Sequence, residues 1–390
     1  MLTDAPGLGK TLMAANAAET PALVFCPTYL VEQWYDFLQE QFPGQSVAKA
    51  QGSRTERQAA INVWADWTIC NTEMLRSYTF KHYSTIIVDE AHYLRNRNSQ
   101  QAKAAFQLTK NTEYVYLLTA TPIYREADDL YMLLHILDRQ TFTSYYGFVR
   151  EYCKAIETPW ALKVVGVRNQ QELKKTLSQY SLGRSYSDVA MQLPPIINNV
   201  VKLDWSLSQQ AHYKEMRDFY RDNGVPLDSA GEVLQKLRQA TLCPEKLTAT
   251  TEIVESLLPT EKVVIFTWYR MSAELLALKF DVQAITGDME VTLRRGFALD
   301  KDNRITIATM ASLSEGIDLS HARTVIFFEE DYTPGRMYQA LSRVRRASPD
   351  TTPVRAYFLQ VKGTVDEVVH KAVLRRTTNA REILQGALYD

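Results

Sequence analysis

Thr3–Ala18 reads TDAPGLGKTLMAANAA, two glycines and a lysine set directly before a run of good helix formers. A loop that cradles phosphates needs glycines where backbone N–H groups approach oxygen closely. It then needs a lysine for the outer phosphates and a hydroxyl for a magnesium ion. Gly7, Leu8, Gly9, Lys10 and Thr11 supply those parts in that order. Anions held there would sit at a helix N-terminus, where the backbone donors and the helix dipole both favour negative charge. Asp4 stands where the strict spacing has its first glycine, and a plain Gly-rich turn before a helix is the alternative reading of the loop taken alone. Phosphate loops follow a buried parallel strand, yet Met1 to Asp4 leave room only for a stub.

The rest of the chain carries the strands such a loop requires. From Lys10 to about Asp138, short apolar runs (ALVFC, WTIC, STIIVDE, YVYLLTATP) alternate with helical patterns. Between them, Leu30, Trp34, Phe37 and Leu38 fall on one helical face. Continuous apolar strands between helices imply a parallel sheet covered on both sides, with ligands at the carboxyl ends of its strands. The rhythm returns in KVVIFTWY, VQAITGD, RITIATM, TVIFFEED and VRAYFLQV, five strand candidates between about Lys262 and Val361. The intervening stretch, from Arg139 to about Lys246, reads as mostly helical and is punctuated by Pro194–Pro195. The expected organisation is an α/β fold of two parallel-sheet lobes, 1–138 and 251–365, with helical protrusions and a linker over 139–250 and a C-terminal helix over 366–390.

Composition agrees with a soluble globular chain too long for one core: 390 residues, 46% hydrophobic and 23% charged. The net charge of −1 gives no global basic signal, so any nucleic-acid binding has to come from local patches. Cys26, Cys70, Cys153 and Cys243 are far apart and form no C-x-x-C pair, which argues against a structural zinc site or a disulfide framework. Neither a secretion signal nor an apolar run of membrane-spanning length is apparent, so a soluble, cytoplasmic protein is expected, without membrane association.

Four further segments carry candidate chemistry. STIIVDEAH ends a buried strand with Asp89, which can hold magnesium through water, and Glu90, which can orient and deprotonate an attacking water. Simple solvent exposure at a strand end is the bland alternative. LLTATP places Thr119 and Thr121 at another strand end, where their hydroxyls could relay the state of a phosphate site; taken without the other motifs, a β-turn before Pro122 is the favoured reading. In YQALSRVRR, Arg343 and Arg346 are three apart, which predicts one face of one helix and a pair of candidate arginine fingers. SLSEGIDLS sets Gly316 and Asp318 in a tight loop after a strand.

In this order the segments resemble the superfamily 2 helicases and, within them, the Snf-type branch of double-stranded DNA translocases, including annealing-helicase-like and phage-encoded members. DAPGLGKT resembles motif I, ALVFCPTYLVEQW motif Ia, IIVDEAHYLRN motif II and LLTATP motif III. VVIFTWYR resembles motif IV, IATMASLSEGIDL motif V and QALSRVRR motif VI. The resemblance implies two RecA-like lobes, ATP with Mg2+ as cofactors, and double-stranded or branched DNA as the partner. Gln339 joins the nucleotide residues by its place in motif VI, and His92 joins Thr119 and Thr121 as coupling residues. DNA contacts map onto Pro27, Thr28, Thr72, Thr267 and Thr309; threonine at a strand end is otherwise a cap.

Two departures accompany the resemblance. The family carries an upstream segment with a glutamine that reads adenine, and this chain begins too late to contain it. Motif VI runs into RRASPD where the branch has glycine–glutamine. The function expected is an ATP-dependent translocase on duplex DNA. A strand-separating helicase on DNA or RNA, and a nucleic-acid-binding protein with a degenerate ATPase, are the alternatives. Length leaves no room for histone-reading modules, so a minimal prokaryotic or phage motor is expected.

Overall fold

The computed structural model describes residues 1–6, 8–158, 162–184, 188, 193–222, 231–300, 302–312, 318–346 and 352–383. The chain divides into two compact units, Met1–Met191 with Arg376–Asp390, and Gln192–Arg375.

The first unit is built on a five-stranded parallel sheet of β1 (Ala22–Cys26), β2 (Val47–Ala50), β3 (Trp67–Asn71), β4 (Thr85–Asp89) and β5 (Tyr114–Leu118), in the order β2-β3-β1-β4-β5. β1 lies at its centre and is buried along its whole length, which its unbroken ALVFC run demands. Helix Val31–Gln41 buries Val31, Trp34 and Leu38 against this sheet, a helical stripe, with Leu30 and Phe37 packed at its margin. Full burial of a side chain such as Val24 or Leu38 contributes about 2 kcal/mol. An antiparallel hairpin, β6 (Cys153–Glu157) with β7 (Leu162–Val167), follows outside the sheet.

The second unit holds a six-stranded sheet, again all parallel. Its strands are β8 (Ile196–Leu203), β9 (Val263–Thr267), β10 (Ala284–Ile285), β11 (Ile305–Thr309), β12 (Thr324–Phe327) and β13 (Val354–Val361), ordered β10-β11-β9-β12-β13-β8. Alternation along the strands splits the core in two. Val264, Phe266, Val325 and Phe327 pack on one face, and Val263, Ile265, Ile326 and Phe328 on the other.

All nine strands read from sequence are present, and the α/β fold with two parallel sheets is the one expected. The bridging stretch is less uniformly helical than its sequence suggests, since it contains β6, β7 and β8. β8 comes from IINNVVKL, directly after Pro194–Pro195, and pairs with β13 over eight residues at the sheet edge. Among the described residues no helix is long and apolar enough to cross a membrane.

Candidate nucleotide site and helicase-type motifs

Register brings the first-unit motifs to one edge. Phe25 pairs with Val88 and Cys26 with Asn71, so Pro27, Thr28 and Thr72 follow the carboxyl ends of neighbouring parallel strands and Asp89 is the last residue of another. The N-terminal stub reaches the same edge. Leu2 bridges in parallel to Leu118 of β5 on one side and to Leu182 on the other. Its N–H donates to Leu117 O at 2.8 Å and its carbonyl accepts from Thr119 N at 3.0 Å. Two residues thus do the work of a strand, because 182–184 supply the missing neighbour: Thr3 N donates to Leu182 O and Ala5 N to Arg184 O.

That arrangement explains Asp4. Its carboxylate is fully buried and accepts from the Arg184 backbone N–H at 2.8 Å and from Arg184 Nε at 3.1 Å, with Nη2 at 2.5 Å. An arginine fork on a buried carboxylate fixes the start of the loop by charge and geometry together. The loop then turns into helix Lys10–Ala17 at Gly9, whose φ of 80° lies in the left-handed region that glycine adopts without steric cost. Leu8 donates to Ala5 O within the loop, and Thr11 opens the helix beside Lys10. Gly7 lies outside the described residues.

Lys10 Nζ donates to the carbonyls of Asp4 at 2.8 Å and Ala5 at 3.3 Å. Burial lowers its pKa, while the carboxylates of Glu90, Asp89 and Asp4 work in the opposite direction. Lys10 and the acidic pair, far apart in sequence, therefore share one buried neighbourhood. Asp89 accepts from the Trp34 indole N–H at 2.9 Å and from the Glu90 N–H at 2.9 Å. Burial, reinforced by the Glu90 charge, pushes Asp89 up to about 6 in spite of those donors and of Lys10. Glu90 itself sits at φ 50°, ψ 47°, a left-handed backbone uncommon for a non-glycine residue. Strain of this kind persists only where surrounding structure holds it.

Motifs II and III meet at His92. Its Nδ1 lies 3.0 Å from Glu90 Oε2 and 3.4 Å from Thr119 Oγ1, and Thr119 Oγ1 accepts from Thr121 N at 3.1 Å. The imidazole stacks on Tyr124 at 4.9 Å with rings 5° from parallel.

A divalent cation fits this donor set. Two carboxylates face one buried ammonium, and Asp89 already resists ionising, so added positive charge is favourable. Asp89 and Thr11 offer hard oxygens of the kind magnesium takes. Among the described residues no cluster of three or more His, Cys, Asp or Glu could hold a metal alone, and a magnesium ion shared with substrate phosphates needs none.

In the second unit, Thr267 and Thr309 are register partners at the carboxyl ends of β9 and β11. The Thr267 hydroxyl donates to Tyr269 O at 3.1 Å, whereas the buried Thr72 hydroxyl has no hydrogen-bond partner among the described residues. Helix Pro334–Val344 carries Gln339 and Arg343. The single helical face expected for Arg343 and Arg346 is not formed: the helix stops at Val344, and Arg345 is extended with its Nε donating to Pro194 O at 2.8 Å. Arg346 lies beyond the helix end and instead approaches Asp318, Nε to Oδ1 3.6 Å. Burial opposes the charged form of Asp318, but the Ser320 N–H and hydroxyl and the Arg346 guanidinium outweigh it and hold the carboxyl below its ordinary value. Gly316 lies outside the described residues. Trp34 and Arg184 are the site residues that sequence reasoning missed; Trp34 showed only its place on an apolar helical stripe.

A model of the SNF2-related domain matches residues 1–257, and one of the helicase conserved C-terminal domain matches residues 245–348. The chain belongs to the SNF2-related domain family, the branch its motifs resemble. It is 26% identical, over 398 residues, to the SWI/SNF-related matrix-associated actin-dependent regulator of chromatin subfamily A-like protein 1 of Xenopus tropicalis, covering 94% of this chain and 41% of that protein. It is 23% identical, over 426 residues, to the DNA annealing helicase and endonuclease ZRANB3 of Mus musculus, covering 99% of this chain and 39% of that protein. The chain therefore spans about 40% of the length of these curated relatives. Among solved structures, the Sulfolobus solfataricus SWI2/SNF2 ATPase core in complex with dsDNA is similar at 24% identity, covering 100% of this chain and 89% of that one, with a TM-score of 0.44.

Proposed function

We propose that this chain is an ATP-dependent translocase on double-stranded DNA that remodels branched DNA or protein–DNA complexes. The observation that carries the reading is the convergence of Lys10, Asp89 and Glu90 at the carboxyl edge of one parallel sheet, in a chain of the SNF2-related family. The resemblance to a DNA annealing helicase supports DNA as the partner.

Each residue has a definable part. Lys10 exchanges the carbonyls of Asp4 and Ala5 for the oxygens of the outer phosphates, and the free N–H groups in the first turn of helix Lys10–Ala17 would meet the same anion. Magnesium, held by Thr11 and Asp89, supplies charge neutralisation at the phosphates when bound. Glu90 orients water and accepts its proton. Arg343 and Arg346 provide positive charge for the developing phosphoryl transition state, with Gln339 of the same motif and Asp318 of motif V assigned to the nucleotide. His92, bridging Glu90 to Thr119, reports the state of the nucleotide to motif III. Pro27, Thr28, Thr72, Thr267 and Thr309 line the strand ends that receive the DNA backbone, with main-chain and hydroxyl contacts that need little net charge.

ATP hydrolysis measured with no nucleic acid, duplex DNA, single strands and RNA tests the reading. Stimulation by duplex is expected; stimulation by single strands alone would overturn it, and product from a forked duplex would reassign the chain as a strand-separating helicase.

The position of Asp89 predicts a pH limit. A carboxyl raised to about 6 is ionised above that pH and protonated below it, so magnesium binding weakens on acidification. The magnesium concentration for half-maximal nucleotide binding should rise about tenfold from pH 7 to pH 5. Trp34→Phe removes the indole donor to Asp89 and should move this limb to higher pH. An unchanged limb would show that the indole does not tune the carboxylate.

A further inference from the structure

A cleft of about 600 Å³ opens beside the candidate nucleotide site, within the first unit, lined by Arg95, Arg97, Arg125, Asp128, Asp129 and Tyr145 among others. A second cleft of about 370 Å³ adjoins it across Arg97, Tyr131, Tyr145 and Tyr146 and extends toward Lys103. Neither is used by the chemistry assigned above.

The wall between them is cationic and aromatic. The Arg97 guanidinium lies over Tyr145 at 4.2 Å and near Tyr146 at 5.7 Å, and among the described residues it makes no ion pair. Arg125 likewise has no ion pair among the described residues. Both carboxylates in the wall are satisfied by their own chain. Asp128 accepts from the Tyr145 hydroxyl at 2.8 Å, and Asp129 accepts from the N–H groups of Tyr124 and Arg125, with Arg95 Nε 3.9 Å away. Burial pushes Asp128 above its ordinary value, against the pull of the Tyr145 hydroxyl and of the Arg125 and Arg97 charges, and burial with the Asp128 charge pushes Asp129 to about 6. Stacking occupies the face of Arg97 and leaves its N–H donors for an anion. An elongated track with spaced cations and tyrosine rings suits a polymer of phosphates better than a compact ligand.

The cleft is wired to the acidic pair. Arg95 Nη1 donates to His92 O at 2.8 Å and its guanidinium lies over Tyr124 at 4.3 Å. Tyr124 stacks on His92, which stands 3.0 Å from Glu90.

We propose that Arg97 and Arg125 bind the phosphates of a nucleic-acid strand in this cleft, and that Arg95 and Tyr124 transmit its presence through His92 to Glu90. The inference rests on the nucleic-acid reading of the previous section and locates a second contact outside the strand-end threonines. It also supplies the local basic patch that a chain of net charge −1 requires.

The test uses the full chain, a fluorescent 20-base-pair duplex and anisotropy without nucleotide, over a range of salt. Arg97→Glu with Arg125→Glu should weaken duplex binding at least tenfold and lower the slope of log affinity against log salt by about two. DNA-free ATP hydrolysis should stay unchanged. Tyr124→Leu should bind the duplex like the parent and lose DNA stimulation of hydrolysis. Unaltered duplex affinity and salt slope in the double variant would overturn the site, and retained stimulation in Tyr124→Leu would overturn the relay. If labelled polyglutamate loses affinity in the double variant while the duplex does not, the cleft takes an acidic protein, and the proposal fails. A parent chain that binds no duplex defeats the nucleic-acid reading itself, a result distinct from a parent that binds and variants that match it.

Discussion

Glu90→Gln is expected to lower ATP turnover about a thousandfold while leaving nucleotide binding within about twofold of the parent. The amide keeps the length and shape of the carboxylate and can still accept a hydrogen bond where Oε2 lies 3.0 Å from His92 Nδ1. It cannot take a proton from water. In the function proposed above, binding rests on Lys10, Thr11 and Asp89, which the substitution leaves in place. Gln also loses a charge that helps to raise Asp89, so Asp89 ionises more readily and magnesium is held at least as well. Single-turnover hydrolysis alongside equilibrium binding of a slowly hydrolysed ATP analogue separates the two effects. A loss smaller than tenfold would remove Glu90 from the role of base.

Lys246→Met should destabilise the second unit by about 3 kcal/mol. Lys246 is fully buried in helix Pro244–Ser256, and its ammonium lies 2.8 Å from Asp366 Oδ2. Asp366 also accepts from Thr241 Oγ1 at 3.1 Å and Val361 N at 3.2 Å, so it is fixed in position. Glu329, fully buried and raised by that burial, draws on the same cation. Removing the ammonium leaves two buried carboxyls with less compensation, whereas methionine fills nearly the same volume. The double variant Lys246→Met with Asp366→Asn should recover most of the loss, because the stranded charge is then absent. Urea unfolding followed by tryptophan fluorescence reads both. A single variant within about 1 kcal/mol of the parent would show that the pair is replaceable.

Much of this architecture is legible in the residues, for a physical reason. Strands such as β1 and β9 are buried on both faces, so they appear as unbroken apolar runs that few other structures produce. β2 was not legible, since VAKA is short and mostly half-exposed. β8 was hidden by Asn198 and Asn199 and by its mixed burial as an edge strand. The strands of the β6–β7 hairpin fall among helical patterns and pair only through each other. Lys10, Asp89 and Glu90 stand out in the sequence because phosphate chemistry draws on such groups in short local arrangements, and the structure brings them into one neighbourhood. Trp34 and Arg184 do not, because what defines them are partners 55 and 180 positions away. The end of the helix after Arg343 depends likewise on Arg345 reaching Pro194, 151 positions distant.

The clasp between residues 2–5 and 182–184 sets an order of assembly during synthesis. The loop after Asp4 leaves the ribosome before its flanking main chain and the guanidinium that neutralises Asp4, which arrive 180 residues later. At about 5–20 residues per second that interval is roughly 10–40 seconds. The intervening strands, whose pairings are closer in sequence, can form a sheet during it. The nascent chain therefore passes through a period in which the sheet can form while residues 2–5 lack the neighbour that fixes them, and on the nucleotide-binding reading proposed above the site is complete only once Arg184 has emerged.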